Sequence, residues 1–226
     1  MVSLNRATLA EQAYEELQDR IVSGALPAGH RLRADELADA LAISQTPVKE
    51  ALALLERDGL VEAASRRGSV VRRFTIDDVV EIYDARMLLE ISAVETGFRE
   101  GNATVEFAEA LGEIFRQQMV FVEQQSEDAL FHAIRLDREF HEKIVSLWHS
   151  HLIAGWHRVV LRQTQTIRNY PLFRYDVTRT RREHSAIVEA FKAGSGRSAA
   201  DALKTHLMAS RDEFLSRPPE ELPIRA

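Results

Sequence analysis

The chain of 226 residues contains no cysteine. Disulfides and thiolate metal ligands are therefore excluded, and a reducing, cytoplasmic setting is the simplest expectation. No apolar run is long enough for a membrane span or a secretory signal, so no membrane partner is expected. Enzyme signatures are also missing. There is no phosphate loop and no Gly-Xaa-Ser-Xaa-Gly elbow, and the HEKIV stretch from His141 is not a zinc-protease HExxH. Positive charge is not in excess either, since the net charge of -6 argues against a nonspecific nucleic-acid coat. Lys and Arg number 10 against 11 Asp and Glu over residues 1–74, and 19 against 24 over the rest, so the acidity falls mostly in the second part.

Length and a hydrophobic content of 45% suit two packed domains. Residues 8–23 have helical periodicity, with Ala13, Leu17, Ile21 and Val22 on one side, and the Gly24 to Gly29 stretch breaks it. The segment from Arg31 to Val71 carries the most information. Leu37, Ala38 and Leu41 mark one helix, Ala42-Ile43-Ser44 a tight turn, and Val48, Ala51, Leu52 and Leu55 the apolar stripe of a second helix. Ser44 or Thr46 can cap that second helix, Pro47 is tolerated in its first turn, and Gly59 stops it. The stripe leaves Gln45, Thr46 and Lys49 outward at the N-terminus, where recognition helices touch bases. Gln can pair with an adenine edge and Lys can reach guanine acceptors. Leu60 to Ala64 and Ser69 to Val71 then read as two strands, with Arg66, Arg67 and Gly68 at the turn and Arg72 and Arg73 beyond. Such a tip suits phosphate or minor-groove contact.

These residues resemble the amino-terminal domain of GntR-superfamily transcription regulators, whose pattern is similar to LAxxLxxSxTPVxEALxxLxxxGLV followed by a wing. The resemblance spans about seventy residues and implies a winged helix-turn-helix over 1–74, with Arg31, Arg33, Gln45, Thr46, Lys49, Arg66, Arg67 and Gly68 as candidate DNA contacts. That family commonly has Arg where Gln45 and Lys49 stand here, and some relatives have Arg in place of Asp35. Lys lacks the planar fork of Arg, so the base preferences of such relatives are not transferable. A protein-contact module is the alternative use of the same fold.

From Thr75 the pattern is helical, with spans expected at 76–100, 104–124, 127–148, 151–168, 177–193 and 197–215 and a tail over 217–226. The expected fold is mainly α: a winged helix-turn-helix with a small β-hairpin, then an all-α antiparallel bundle over 75–216. Asp137 and His141 lie four residues apart and share a helix face, although that spacing is more often a surface ion pair. Leu136, Phe140 and Ile144 beside them favour burial. His184 and His206 stand beside apolar residues of two further helices, and donors from three helices can converge in a bundle core.

This second part resembles the FCD effector domain of FadR-like GntR regulators. In that family, motifs similar to DREFH, EHxxI and HL supply one Asp and three His to a divalent metal. The resemblance places those ligands on Asp137, His141, His184 and His206; zinc is the first choice, with nickel or manganese as alternatives. Arg86 lies on a helix face with Ile82, Leu89 and Ala93, so its charge must be paired or hydrated. Either it pairs with Glu90, or it forks onto an effector carboxylate whose other end touches the metal. FCD relatives often sense small organic acids or sugar acids. His132, His149, His151 and His157 fall outside the matched motifs and are expected to be surface or structural, and Trp148 and Trp156 to fill the core or its edge.

The expected function is therefore a homodimeric, effector-responsive regulator, more often a repressor, on a palindromic DNA operator. A metal-dependent hydrolase or lyase built on the Asp and His cluster is the alternative, and a purely structural metal is a third reading.

Overall fold

A computed structural model describes residues 8–64, 68–124, 126–168 and 176–216. Two compact units divide between Thr75 and Ile76, with residues 165–168 clustering with the first, and each has its own core. The tail expected over 217–226 lies outside the described residues.

In the first unit, α1 (Leu9–Val22) starts at a capping box: Thr8 Oγ1 accepts from Glu11 N at 3.2 Å, and Thr8 N donates to Glu11 Oε2 at 2.7 Å. Strand β1 (Arg31–Leu32) leads into α2 (Ala34–Leu41), which ends where Ala42 turns left-handed at φ 54°. Helix α3 (Gln45–Arg57) follows. Ser44 occupies its cap position without a side-chain hydrogen bond. At its other end Leu60 N bonds Leu55 O and Gly59 N bonds Glu56 O, a closure that requires the positive φ of 71° at Gly59. Leu17, Ile21, Val48, Ala51, Leu52 and Leu55 meet in one core. The hydroxyl of Tyr14 crosses from α1 to Asp58 at 2.6 Å, a buried link between two helices.

The wing has one strand more than expected. Strands β2 (Val61–Ala63) and β3 (Ser69–Val71) form the anticipated hairpin, and β1 pairs antiparallel on the other edge of β3, giving the order β1-β3-β2. Two residues are too few for alternation to reveal a strand.

The second unit is helical throughout its described residues: α4 (Ile76–Arg99), α5 (Val105–Val122), α6 (Glu127–Val145), a 3-10 turn (Ser146–Trp148), α7 (His151–Arg168), α8 (Val177–Lys192) and α9 (Gly196–Leu215). Thr104, Ser126, Asp176 and Ser195 each cap a helix by accepting a backbone N–H. The helix expected over 127–148 is shorter, because its last turn tightens and His149 turns left-handed at φ 50°. Val94, Leu111, Phe140, Ile144, Ile187 and Leu203 form the core. Trp156 corrects an expectation: 55% of it is exposed, so it does not fill the core.

Candidate functional site

On the first unit, burial of Val48, Ala51, Leu52 and Leu55 turns the other face of α3 outward, and Gln45, Thr46 and Lys49 are exposed. Arg33, Gln45, Lys49 and Gly68 line one groove between this helix and the wing. Arg31 is exposed on β1 but does not line the groove, and Arg66 and Arg67 lie outside the described residues. Two carboxylates engage Arg33, Asp35 at 2.8 Å and Glu36 at 3.2 Å. The hydrogen bond from Arg33 holds the Asp35 carboxyl below its ordinary range, and the same bond raises the guanidinium's own value. A phosphate that took Arg33 would have to displace these partners.

In the second unit every helix contributes to one buried polar centre. His141 on α6, His184 on α8 and His206 on α9 are buried, and one ring nitrogen from each lies within 4.8 Å of the others. Their Nδ1 atoms are already engaged: His141 on Glu90 Oε2 at 2.7 Å, His184 on Gln118 Oε1 at 2.9 Å and His206 on Glu183 Oε2 at 2.9 Å. Carboxylate and amide oxygens accept, so each Nδ1 donates, and in a neutral ring Nε2 would then keep the lone pair. A ring in that tautomer, held by an outer partner, is the form that binds a metal. The buried His141 Nε2 makes no hydrogen bond. Phe140 stacks on the His184 ring with centroids 4.5 Å apart and fixes its plane.

Asp137 stands at the edge of this set. Its Oδ1 is 3.6 Å from His184 Nε2 and accepts from Gln118 Nε2 at 3.3 Å. Gln118 on α5 therefore orients one expected ligand with each end of its amide.

Arg86 joins the same network through Glu90. Both side chains of this i,i+4 pair on α4 are buried, and Arg86 Nε donates to Glu90 Oε1 at 2.8 Å. His157 on α7 shares that oxygen through Nε2 at 3.1 Å. Burial pushes the Glu90 carboxyl up, but the charge of Arg86 and the bonds from His141 and His157 outweigh it and hold the group well below its ordinary range. Glu90 is thus an ionised hub. Arg86 Nη1 and Nη2 and His157 Nδ1 are buried without hydrogen-bond partners.

Of the two uses weighed for Arg86, the pairing with Glu90 is the one observed, through its Nε edge. Glu90 had entered only as its pairing partner, Gln118 carried no motif, and Glu183 stood within the EHxxI motif without an assigned role. His157, expected to be surface or structural, is fully buried in the network, whereas His132, His149 and His151 are exposed.

Residues 9–71 match the family described as bacterial regulatory proteins, gntR family, and residues 81–209 match the FCD domain. The chain is 32% identical over 158 residues to the gluconate operon transcriptional repressor of Bacillus licheniformis, covering 69% of this chain and 62% of the repressor. It is 30% identical over 207 residues to the probable D-xylose utilization operon transcriptional repressor of Paenarthrobacter nicotinovorans, covering 91% and 88%. For some relatives the match thus spans only about three fifths of their length, 60% and 62% in two cases. Among solved structures, E. coli McbR/YncC superposes with a TM-score of 0.79 at 20% identity, covering 93% of this chain and 98% of that one, which is a likeness of fold.

Proposed function

The chain belongs to the gntR family of bacterial regulatory proteins and carries an FCD domain, and on that premise we propose that it is a DNA-binding regulator of transcription whose operator affinity responds to a small carboxylate held at a divalent metal centre. The family is one of regulators, not enzymes. Repression is the mode its named relatives suggest, since two of them are repressors of sugar or sugar-acid operons by description.

DNA contact is assigned to the exposed turn of α3, where Gln45, Thr46 and Lys49 would meet base edges while Arg31, Arg33 and the wing, with Arg66, Arg67 and Gly68, would meet the backbone. Two copies on a palindromic operator imply a homodimer. Leu88 on α4 and Leu152 and Trp156 on α7 supply exposed apolar area that a second copy could cover. Among the described residues no helix is long and apolar enough to cross a membrane.

The observation that carries the effector reading is the buried Arg86 fork on an ionised Glu90 that also holds His141. His141, His184, His206 and Asp137 would hold the metal, with zinc the first choice; the donor set of imidazole and carboxylate suits it. When bound, the metal supplies a second cationic anchor for the effector's carboxylate. Arg86 supplies the bidentate one.

A mobility-shift titration with the upstream region of the chain's own gene tests this reading. A specific complex, weakened by salt, should change affinity when zinc and an acid effector are added. Binding that ignores sequence would remove the operator assignment. A complex indifferent to every acid and to chelator would leave the metal a structural role.

A further inference from the structure

We infer that Asp35 reads a base in the DNA groove, selecting a base pair that turns an amino group toward it, the cytosine N4 or adenine N6 amine, and rejecting the reversed pair. The inference rests on the reading that the first turn of α3 meets base edges, and it assigns a determinant that reading leaves out.

The groove between α3 and the wing is lined from α2 as well. Asp35, in the first turn of α2, borders the same space as Gln45 and Lys49 of α3 and Gly68 of the wing. Its side chain is half exposed. A duplex seated on Gln45 and Lys49 therefore also meets this carboxylate. A carboxylate can only accept hydrogen bonds. In the major groove cytosine and adenine each present an amino donor, whereas guanine O6 and N7 and thymine O4 are acceptors that a carboxylate repels. The polarity of the preferred pair follows from the charge of the side chain.

Arg33 makes such an approach feasible among phosphates. Its Nη2 donates to Asp35 Oδ2 at 2.8 Å, which offsets the negative charge and fixes where the carboxylate sits. The guanidinium has five N–H donors, so Arg33 can keep Asp35 while Nη1 leaves Glu36, 3.2 Å away, for a phosphate. Glu36 itself does not line the groove. The other carboxylate that does, Glu56, lies about two turns beyond Lys49 on α3 and so away from the end of the helix that touches bases. Of the three, only Asp35 combines a place beside the base-reading turn with an oriented side chain.

The test uses the full chain and selection of bound duplexes from a randomised pool, followed by competition titrations in which each base pair of the selected duplex is changed in turn. Asp35→Asn would keep an acceptor oxygen, so Asp35→Ala is the diagnostic change. At one position the wild type should place cytosine and adenine above guanine and thymine on the same strand by roughly tenfold, and Asp35→Ala should bring the alternatives there to near-equal affinity. An analogue of the preferred base that lacks the amino group should weaken the wild type by a similar factor and leave Asp35→Ala unaffected. Asp35→Lys, which puts a donor in place of the acceptor, should turn the preference toward guanine. Glu36→Gln should shift affinity for all sequences alike, and thermal melts check that each variant is folded. A uniform effect of Asp35→Ala over all sequences overturns the role of Asp35 and leaves the α3 reading standing. So does an amino deletion that costs the wild type and Asp35→Ala the same, or a loss of base preference in Glu36→Gln equal to that in Asp35→Ala. If the wild type selects no sequence, both readings fall.

Discussion

Replacing Glu90 by Gln should have consequences far larger than its near-identical shape suggests. Three donors converge on the carboxylate: Arg86 Nε at 2.8 Å and His157 Nε2 at 3.1 Å on one oxygen, and His141 Nδ1 at 2.7 Å on the other. Glutamine keeps one acceptor and turns an NH2 toward at least one donor. The substitution also leaves Arg86 a fully buried cation without its counter-ion. Breaking a buried pair in this way costs about 3–5 kcal/mol, which for a chain of this size corresponds to a fall on the order of 10 °C in Tm. A second effect separates this network from ordinary packing. If the NH2 faces His141, that ring is relieved by moving its proton to Nε2, which removes the lone pair from the metal side. Loss of an outer partner of this kind typically weakens metal binding roughly 10–100-fold. Thermal unfolding followed by circular dichroism in the presence of chelator would measure the first effect, and competition between the protein and a chromophoric chelator for zinc the second. A Tm within about 1 °C of wild type together with unchanged zinc affinity would refute the hub assigned to Glu90. Loss of stability with unchanged zinc affinity would refute its role in setting the His141 tautomer.

Other substitutions probe the first unit. Asp35 should titrate below the ordinary range of an aspartate by NMR and move back toward it in Arg33→Met, because the Arg33 hydrogen bond is the first cause of the shift and backbone hydrogen bonds supply the rest. Its folded value is depressed, so any small stabilisation is present above the unfolded value and is lost as pH falls through the folded one. Asp35→Asn should also free Arg33 from one of its two carboxylates, leaving Glu36, and tighten DNA binding slightly, since an exposed ion pair is weak; weaker binding would show that Arg33 does not contact DNA. Lys49→Ala and Gln45→Ala should each reduce discrimination at one operator position by roughly 1–3 kcal/mol in competition assays, whereas a uniform loss over all sequences would reassign them to the phosphate backbone. Tyr14→Phe, which removes the 2.6 Å bond to buried Asp58, should destabilise the first unit by roughly 1.5–3 kcal/mol in urea titration.

The elements were legible where local chemistry determines them. The apolar stripe Val48, Ala51, Leu52 and Leu55 specifies which face of α3 is buried whatever packs against it, and Gly59 specifies where the helix ends because its φ of 71° disfavours a side chain. Strand β1 was not legible. Its two residues become a strand only because β3 offers them a free edge, with Arg31 opposite Val70 and Leu32 opposite Ser69, and that pairing is set by the chain returning from the wing. Trp156 failed for a related reason: an aromatic side chain signals apolar area, but whether a helix buries it depends on which face its neighbours take.

At the centre, motifs pointed to Asp137, His141, His184 and His206, but nothing local could say which nitrogen of each histidine would face its outer partner. That choice is made by Glu90, Gln118 and Glu183, three polar residues 51, 66 and 23 positions from the rings they orient. Such partners have no fixed spacing, because hydrogen bonding across a bundle depends on helix packing and not on the order of the chain. The same reasoning explains why Glu90 was visible as a partner for Arg86 and invisible as a partner for His141 and His157. An i,i+4 pair is a local fact that periodicity can expose. The other two bonds arise only when α6 and α7 bring their imidazoles to one carboxylate, and they convert a simple ion pair into a junction. Because one anion then orients both the Arg86 fork and the His141 ring, metal binding and carboxylate binding cannot be energetically independent if both occur. Whatever one gains from the other must be returned in equal measure, so the effector's affinity should depend on zinc by the same factor as zinc's affinity depends on the effector.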